Sequence, residues 1–568
     1  MKFSKRIQSY IQMTLLSGVL LFANILSCGV NGHLDLTEEK RFTLTKPTKE
    51  LLKEVKDVMY VKVLLEGEFP AGFKRLQSSV KELLDDLRAQ NGNIEYSFED
   101  QNQGSIDEIN RRRKQLAEEG IVPMQLTVKS SGETERKVIY PYAIISFGNR
   151  SVPVNLLENQ VPGQPQEITL NNSISTLEYK FANGIQKVLF DQHPKIAFTK
   201  GHLELDNMKT ADLERSLRQN SYLTERINLD STVSIKKDVS VLVIAKPKAT
   251  FSEKDKFKID QYVMNGGKVL WLIDRLSADM DSLQMTNRYI PHDYPLNIED
   301  ILFKYGARIQ PNLILDLECA RIPLRVGQEG QQQQFEMFPW YYQPLVASKS
   351  TQSIVKNLDR IWLQFPGTVD TIKTKTPVKK TVLLSSSDHS RLQFSPVELN
   401  FEILKYDADP SKFDKKELTM ALLLEGTFPS LYENRVSAEM MEGLKELNMD
   451  FKTVSQPTKM LVVSDGDIAA NGFDSKNQVF NPLGYNPYMK YTFANKDFLL
   501  NAIQYMLDDK GVIESRSKEI KLRLMDDVRM KDEKTFWQFI NIALPLILLS
   551  LFGFVFNYLR KKRYTAKS

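Results

Sequence analysis

Apolar positions in the first third of the chain alternate between two periods, which predicts an α/β domain. Val58–Leu65 has the β-branched content of a buried strand, and Ile94–Glu99 alternates as a half-buried strand does. Between these segments, apolar residues recur at helical spacing over Phe73–Leu87. A helical crossover between two strands implies parallel pairing, so this β-α-β unit has a thioredoxin-like outline.

The rest of this region adds further elements before a break in the pattern. Ser105, followed three residues later by Glu108, forms a capping-box sequence that predicts the start of a helix. Apolar spacing over Ile174–Leu189 predicts one long amphipathic helix, which His193-Pro194 ends. Strands are expected at Val122–Val128, Val138–Phe147 and Val152–Leu157.

The second half of the chain alternates apolar strands with helices, which is typical of a doubly wound, Rossmann-like sheet. Val239–Ala245 and Val269–Ile273 are continuously apolar, as strands covered on both faces are. Between them, Ser252 predicts the start of a helix that ends at Asn265-Gly266-Gly267. Further elements are expected at Lys195–Thr199, Met208–Gln219, Leu313–Leu317, Thr381–Ser385, Glu417–Leu424, Met460–Val463 and Phe498–Leu507.

Two charge-free apolar runs near the ends of the chain predict membrane-spanning helices. The second run, Thr535–Leu559, carries Trp537 and Tyr558 near its ends, where amphipathic rings favour the headgroup level. The first run, Ile7–Gly32, is diluted by polar residues and has two alternatives: a cleaved signal peptide, or a lipoprotein signal with Cys28 as the lipidated residue. We expect an uncleaved anchor.

Flanking charge sets the expected orientation, with both termini in the cytoplasm and the bulk of the chain in the periplasm, outside the inner membrane. The predicted segments are an N-terminal anchor (1–32), a first α/β domain (33–193), a Rossmann-like second domain (194–509), a charged stalk (510–534), a transmembrane helix (535–559) and a basic tail (560–568). The basic residues that flank the two runs on the predicted cytoplasmic side are Lys2, Lys5, Arg6, Arg560, Lys561, Lys562, Arg563 and Lys567.

Composition excludes several classes of protein. The chain has 568 residues with 76 Lys plus Arg against 71 Asp plus Glu, a balance that argues against a dedicated nucleic-acid binder. Two cysteines, Cys28 and Cys319, exclude a disulfide framework and a cysteine-built zinc site. Five histidines scattered along the chain leave little material for a histidine metal cluster.

Nucleotide and thiol redox motifs are missing from the sequence. Gly266-Gly267-Lys268 stands between a predicted helix and a strand, the reverse of the P-loop order, and no Ser or Thr follows the Lys. We interpret it as a helix C-cap. Thioredoxin chemistry needs thiols at the start of the first helix, and that place has Gly67-Glu68-Phe69-Pro70.

Other segments have a functional and a structural interpretation. Cys319 could be a nucleophile, but Leu, Glu, Ala and Arg around it do not suit a tight elbow, so we favour a buried thiol. Ser464–Asp467 could hold Mg²⁺ or Ca²⁺ at a strand end, or form a turn. Gly201–Glu204 could bind a ligand through His and Glu, or cap a helix, and aromatic Phe335–Tyr342 could face a partner or fill the core. We favour the structural interpretation in each case and assign no catalytic, cofactor-binding or metal-ligating residue.

Several segments together resemble the gliding-motility-associated ABC transporter component of Bacteroidota, the GldG family. They are HLDLTEEKRFTLTKPTKELL after the first run, QYVMNGGKVLWLID at 261–274, DLECARIPL at 316–324, FPWYYQPLV at 338–346 and the terminal FWQFINIALPLILL. Members of the family tend to have GHGE where this chain has Gly201-His202-Leu203-Glu204. Leu203 therefore weakens any proposal that this turn needs a glycine backbone.

The resemblance implies a membrane-tethered auxiliary or substrate-binding subunit that works beside a separate permease and a separate cytoplasmic ATPase. It also implies that the second domain is similar to glutamine-amidotransferase-like Rossmann folds, with no catalytic residue to carry over. We therefore expect a non-enzymatic ABC transport subunit without cofactors, associated with gliding motility or envelope transport. Partners other than the permease would be the lipid bilayer and an envelope polymer or the motility machinery. The alternatives are an envelope hydrolase or amidotransferase that uses Cys319, and a freestanding solute-binding receptor.

Overall fold

The fold comes from a computed structural model that divides into two compact units, Met1–Lys518 and Glu519–Ser568. The structure describes residues 10–11, 13–19, 21–22, 43–130, 133–158, 165–190, 193–286, 288–329, 332–404, 408–436, 442, 451–517 and 533–565.

The N-terminal part of the first unit contains a four-stranded sheet with the order β2-β1-β5-β6. Strand β1 pairs in parallel with β2 and antiparallel with β5, which pairs antiparallel with β6, while β3 and β4 form a separate hairpin. The elements are α1 (Lys46–Leu52), β1 (Met59–Val63), α2 (Ala71–Gln90), β2 (Ile94–Phe98), α3 (Ile106–Glu118), β3 (Met124–Ser130), β4 (Glu133–Ile139), β5 (Tyr142–Phe147), β6 (Arg150–Asn155), α4 (Gln166–Ser175) and α5 (Leu177–Leu189).

Two predicted elements of this region are wrong in detail. The segment expected as one strand, Val138–Phe147, is two strands, because Pro141 stands between them and cannot donate a ladder hydrogen bond. The helix expected over Ile174–Leu189 is the end of α4 and all of α5, which meet at Thr176. The capping box at Ser105 and Glu108 is confirmed, since both of its reciprocal hydrogen bonds are present.

The second part of this unit is built on a seven-stranded sheet with the order β18-β21-β22-β10-β9-β7-β8. The strands from β8 to β22 are parallel, and β21 and β18 add an antiparallel edge. The strands of this part are β7 (Lys195–Lys200), β8 (Leu223–Asn228), β9 (Val239–Ala245), β10 (Lys268–Leu272), β11 (Arg288–Tyr289), β12 (Ala307–Ile309), β13 (Asn312–Asp316), β14 (Cys319–Glu329), β15 (Gln332–Val346), β16 (Ile361–Trp362), β17 (Val369–Thr371), β18 (Val378–Ser385), β19 (Ser390–Phe394), β20 (Leu399–Asn400), β21 (Thr419–Gly426), β22 (Thr458–Val463), β23 (Phe473–Asp474), β24 (Val479–Phe480), β25 (Tyr485–Asn486) and β26 (Tyr491–Thr492).

Helices cover both faces of this sheet, as its continuously apolar strands require. On one face, α6 and α10 pack on alternate strand residues such as Val241 and Val243. On the other, α7 and α9 pack on Leu242 and Trp271. The helices of this part are α6 (Ala211–Gln219), α7 (Glu253–Met264), α8 (Met280–Thr286), α9 (Glu299–Tyr305) and α10 (Asn495–Leu507).

A short 3-10 turn, Val512–Ser517, follows α10 and packs back on the four-stranded part of the chain. Val512 is fully buried within the apolar core of that part. The Arg516 guanidinium lies 5.6 Å from the centre of the Tyr179 ring and donates to Asn501 over 2.7 Å. This turn occupies the start of the segment expected as a charged stalk.

The second unit contains helix α11 (Lys534–Thr565). Residues Lys534–Lys562 form a candidate membrane span of 29 residues with a mean hydropathy of 2.4, and they are exposed. It is the one such helix found in the part of the chain that the structure describes. The first predicted span falls largely outside those residues, and the parts of it that are described, 10–11, 13–19 and 21–22, are helical.

Candidate functional site

The carboxyl edge of the seven-stranded sheet has a topological switch point between β7 and β9. From β7 the chain crosses to its neighbour β8, and from β9 it continues on the other side to β10 and β22. In open α/β sheets, ligands bind in the crevice outside the carboxyl ends of the strands at such a point. Two polar clusters lie there, and one of them contains the predicted Gly201–Glu204 segment.

The first cluster, here called the histidine cluster, consists of His202, Glu204, Asp230 and Asp255. His202 is 3% exposed, and its ring stacks on Phe251 with 3.8 Å between centroids and 6° between planes. Its Nδ1 lies 3.5 Å from Glu204 Oε1, and its Nε2 lies 3.4 Å from Asp255 Oδ2. The ring is therefore held in one orientation, with a carboxylate at each nitrogen.

Asp230 and Lys258 complete the surroundings of the His202 ring. Asp230 follows β8 and is exposed, and its carboxylate lies with His202 and Asp255 in a group whose possible ligand atoms are all within 4.8 Å of one another. Lys258 pairs with Asp255 Oδ1 over 2.9 Å and also donates to the Leu229 carbonyl. One side of the cluster is thus buried and the other, at Asp230, is open to solvent.

Opposing effects set the pKa values in the histidine cluster. Burial lowers the pKa of His202, but Glu204 and Asp255 outweigh it, so the net shift is upward. Burial raises the pKa of Glu204, and contacts with His202 reverse the shift. The pKa of Asp255 is also lowered, because the Ser252 hydroxyl and Lys258 outweigh the effect of burial. The ionised forms of Glu204 and Asp255 are therefore both favoured.

Leu203 has a backbone conformation that suits glycine. Its φ is +58°, in the left-handed region, and its side chain is 70% exposed. A leucine held there costs about 1 kcal/mol or more. The turn therefore has a backbone geometry that suits glycine, and this chain adopts it with a strained leucine.

The second cluster, here called the lysine cluster, consists of Lys246, Asp274, Asp465 and Asp467 at the carboxyl ends of β9, β10 and β22. Lys246 is 5% exposed, and its Nζ lies 3.0 Å from Asp274 Oδ2 and 2.5 Å from Asp467 Oδ2. The Gly466 N–H donates to Asp274 Oδ1. A Cβ on Gly466 would stand 2.5 Å from the Lys246 Cβ, so only glycine allows this approach.

Every carboxylate of the lysine cluster has hydrogen-bond donors within reach. Asp465 is fully buried and accepts the N–H groups of Gln364 and Asp467 over 2.7 and 2.8 Å. Burial, with Asp274 and Asp467 nearby, raises the pKa of Asp465 well above its usual value. Burial also raises the pKa of Asp274, against the effect of Lys246. The lysine ammonium stands between carboxylates that a divalent cation would need, so the geometry favours the turn interpretation of Ser464–Asp467.

Cys319 is the first residue of β14 rather than part of a strand-to-helix elbow. Burial and the neighbouring Asp316 carboxylate raise the pKa of its thiol to about 12, and Arg321 only partly opposes them. A thiol of this kind is protonated at neutral pH, and the thiolate is the nucleophile. The environment therefore favours the structural interpretation.

The aromatic segment Phe335–Tyr342 is divided between core and surface along β15. Trp340 and Tyr342 are buried together, with 5.1 Å between ring centroids. Phe335 is 60% exposed and Met337 37% exposed, near the tip of the β14–β15 hairpin. The core interpretation is confirmed for Trp340 and Tyr342, and a partner at the exposed end of the segment stays a prediction.

The glycine-rich segment Gly266-Gly267-Lys268 joins α7 to β10, as the C-cap interpretation expects. Gly266 has a φ of +91°, which favours glycine, and the Gly267 N–H donates to the Tyr262 carbonyl over 2.9 Å. The segment Gly266-Gly267-Lys268 therefore forms a helix C-cap and not a phosphate-binding loop.

A cavity of about 530 Å³ lies where the four-stranded part meets the seven-stranded part. Lys187 lines it and donates to Asn220 over 3.0 Å, and burial lowers the pKa of this lysine to about 8. Amides, hydroxyls and charged groups line it from Arg150, Ser151, Asn183, Gln186, His193, Asn220, Ser221, Gln504, Asp508, Asp509 and Lys510, and apolar or aromatic side chains line it from Val152, Phe190, Pro194, Tyr222 and Leu507. A solute that carries polar groups on an apolar frame suits such a mixed lining.

Sequence reasoning singled out His202, Glu204, Asp465 and Asp467, and the structure brings each pair into a different cluster. It missed Lys246, which directly follows β9, and the partners supplied by other elements, namely Asp230, Asp255 and Asp274. Each of these either follows a strand or lies in the first turn of a helix. Their positions at the ends of strands or in the first turn of a helix are the feature from which these residues could have been predicted as members of the site.

Comparisons with known proteins place the chain in a family. A family model described as an ABC-type uncharacterized transport system matches residues 193–502, more than half of the chain, and a domain of unknown function matches residues 38–146. An uncharacterized protein of Borreliella burgdorferi is 23% identical over 426 residues, which cover 71% of this chain and 74% of that protein.

Among solved structures, the mmIFT52 N-terminal domain aligns over 55% of this chain and 97% of its own length, with 12% identity. Its TM-score of 0.31 is too low to indicate a shared fold. The family match over 193–502 spans the seven-stranded sheet and both polar clusters. The chain therefore belongs to the family of auxiliary components of ABC-type transport systems, which implies association with permease and ATPase components.

Proposed function

We propose that the protein is a non-catalytic, membrane-anchored auxiliary or substrate-binding subunit of an ABC transporter, acting in envelope transport or gliding motility. The observation that carries the proposal is the family match over 193–502, followed along the chain by an exposed apolar helix at Lys534–Lys562. Gliding motility is supported by the resemblance to the GldG segments alone.

The membrane arrangement we propose has two spans, both termini in the cytoplasm and the bulk of the chain in the periplasm beside the inner membrane. It is supported by Trp537 and Tyr558 near the ends of helix α11, which are 52% and 68% exposed, and by the basic residues from Arg560 onward. The first span, 1–32, is supported by its charge-free run.

The periplasmic body, as we propose it, has a thioredoxin-like domain over 33–193 and a Rossmann-like domain over 194–509. The order β2-β1-β5-β6, with a parallel β1–β2 pair, supports the first, and five parallel strands with helices on both faces support the second. Neither domain would supply energy for transport, because the chain has no P-loop sequence. A permease would connect the protein to a cytoplasmic ATPase.

Purification of the full chain from detergent-solubilised membranes tests this proposal. We expect a permease and an ATPase to co-purify, in fixed proportion to the protein. The matched control replaces Lys534–Lys562 with an unrelated apolar span of equal length, which keeps the chain in the membrane but removes specific contacts within the bilayer. If neither component co-purifies with the native chain, the subunit proposal is wrong.

Substrate binding in the cavity between the four-stranded and the seven-stranded parts is the second part of the proposal, and the partly buried Lys187 favours it. We expect solutes that carry polar groups on an apolar frame and fit about 530 Å³ to raise the melting temperature of the full chain. Lys187→Met should abolish that shift, while Lys254→Met, on the exposed side of α7, should not. An unchanged shift in Lys187→Met would exclude the cavity as the binding place.

A further inference from the structure

The histidine cluster has the composition and geometry of a metal site. We propose that it binds one divalent transition-metal cation, represented here by Zn²⁺. The proposed ligands are His202 Nε2 and the carboxylates of Asp255 and Asp230, with water at the remaining position. Imidazole and carboxylate are common zinc ligands, and three protein ligands with one open position are a recurrent arrangement. This inference goes beyond the proposed transport function.

Distances within the cluster fit such an ion. Zinc binds nitrogen and oxygen ligands at about 2.1 Å, so two ligands at tetrahedral corners stand about 3.4 Å apart. His202 Nε2 and Asp255 Oδ2 are separated by 3.4 Å. The Asp230 ligand atom lies within 4.8 Å of the other two, on an exposed side chain that can turn toward them.

The groups behind the proposed ligands orient them as metal sites require. A ligating histidine usually faces a carboxylate with its other ring nitrogen, which fixes the tautomer and the ring orientation. Glu204 has this position, 3.5 Å from His202 Nδ1, and stacking on Phe251 prevents the ring from turning. The Ser252 hydroxyl donates to Asp255 Oδ2 over 2.6 Å and holds that carboxylate in place.

Buried polar atoms around the cluster are incompletely satisfied. His202 Nδ1, Glu204 Oε1 and Thr199 Oγ1 are buried and have no hydrogen-bond partner of standard geometry among the described residues. Both Glu204 and His202 are nearly fully buried, with side chains 1% and 3% exposed. A bound cation on Nε2 would polarise the ring and strengthen the Nδ1–Glu204 contact, which gives these atoms a role.

The charged groups of the histidine cluster also favour a bound cation. Three carboxylates, those of Glu204, Asp230 and Asp255, lie around the His202 ring and face the single ammonium of Lys258. A divalent cation at the ring would add a positive charge beside these carboxylates. In the lysine cluster, the Lys246 ammonium lies between Asp274 and Asp467, where a metal cation would bind. In the histidine cluster, Lys258 pairs with Asp255 Oδ1 and leaves Oδ2 facing the His202 ring, so this cluster is the better site for an added cation.

Zinc titration of the full chain in detergent, after removal of bound metal with a chelator, tests the proposal. We expect one Zn²⁺ per chain, measured by competition with a chromogenic chelator, and a Co²⁺ absorption spectrum typical of a four-coordinate nitrogen and oxygen site. His202→Gln should weaken zinc binding at least about 100-fold, and Glu204→Gln about 10-fold, because Glu204 orients the ring without contacting the ion.

Asp230→Asn is the decisive variant, because this exposed residue can be changed without disturbing the core. We expect at least about a 10-fold loss of zinc affinity, whereas Asp281→Asn, an exposed aspartate on α8, should leave the affinity unchanged. Failure of the native chain to bind zinc, or unchanged affinity in Asp230→Asn and His202→Gln, would overturn the proposal.

Discussion

Two polar clusters lie at the same carboxyl edge of the seven-stranded sheet, and they differ in how their charges are balanced. In the lysine cluster, Lys246 pairs with Asp274 and Asp467, and backbone N–H groups satisfy Asp465. In the histidine cluster, Lys258 pairs with Asp255 Oδ1, whereas Asp255 Oδ2 faces the His202 ring, and buried atoms lack partners within the described part of the chain. The two clusters thus lie at the same edge of the sheet but have different roles. The lysine cluster stabilises the contact between neighbouring strands, and the histidine cluster is suited to a ligand.

The strongest test of this difference removes the cation of the lysine cluster. Lys246→Met should lower the free energy of unfolding by about 3–5 kcal/mol, because it leaves buried carboxylates without their counterion. Chemical denaturation of the full chain in detergent measures the change. Lys248→Met, at an exposed position two residues later, is the control and should have almost no effect. A loss below about 1 kcal/mol would mean that Lys246 does not hold the strands together.

The pH dependence of that variant sharpens the comparison. Burial raises the pKa of Asp274 and Asp465 in the folded chain, so the folded state binds protons more tightly than the unfolded state. Stability from these groups is therefore present at low pH and lost as the pH rises above about 4. Removing Lys246 raises both pKa values further, so the loss of stability in Lys246→Met should be smaller at about pH 5 than at about pH 7.5. An equal loss at both pH values would contradict this account.

A smaller effect is expected at the turn of the histidine cluster. Leu203→Gly should raise the free energy of unfolding by about 0.5–1 kcal/mol, because glycine removes the strain of a positive φ and gives back part of the gain as unfolded-state entropy. Leu203→Ala keeps the strain and serves as the control. Destabilisation by glycine would show that the exposed leucine makes a contact worth more than the strain.

The smallest effect on stability is expected at Asp230, the exposed carboxylate of the histidine cluster. Asp230→Asn should change the free energy of unfolding by less than about 0.5 kcal/mol, since the side chain is exposed and belongs to a cluster with excess negative charge. Thermal melting of the metal-free chain measures this. A large loss would indicate that Asp230 has a structural role like that of Asp274, and the contrast between the clusters would disappear.

Sequence patterns predict a strand best where nearly all of its residues are apolar. Val239–Ala245 was predicted with the bounds it has, because only a strand buried on both faces tolerates such a run. Strand β8 was missed, since LTERIN lies at the sheet edge and its half-buried polar residues show no apolar pattern. The long β14–β15 hairpin was missed because Pro and Gln interrupt its alternation.

The candidate site was predictable only in part, for a related reason. His202 and Glu204 are neighbours that follow a strand, so sequence alone singled them out. Asp255 reaches the ring from the first turn of α7, and Asp230 from the end of β8. The spacing of residues in the sequence does not show that the end of β8 and the first turn of α7 meet, because the order of the strands in the sheet brings them together.

The burial of Val512 has a mechanical consequence. Tension that reaches the Val512–Ser517 turn from its C-terminal side would act on the core around the four-stranded sheet, because Val512 is buried in that core. The Arg516–Asn501 bond shares that load with helix α10. A pull from that side would thus load both sheets together, the larger one through α10 and the smaller one through Val512.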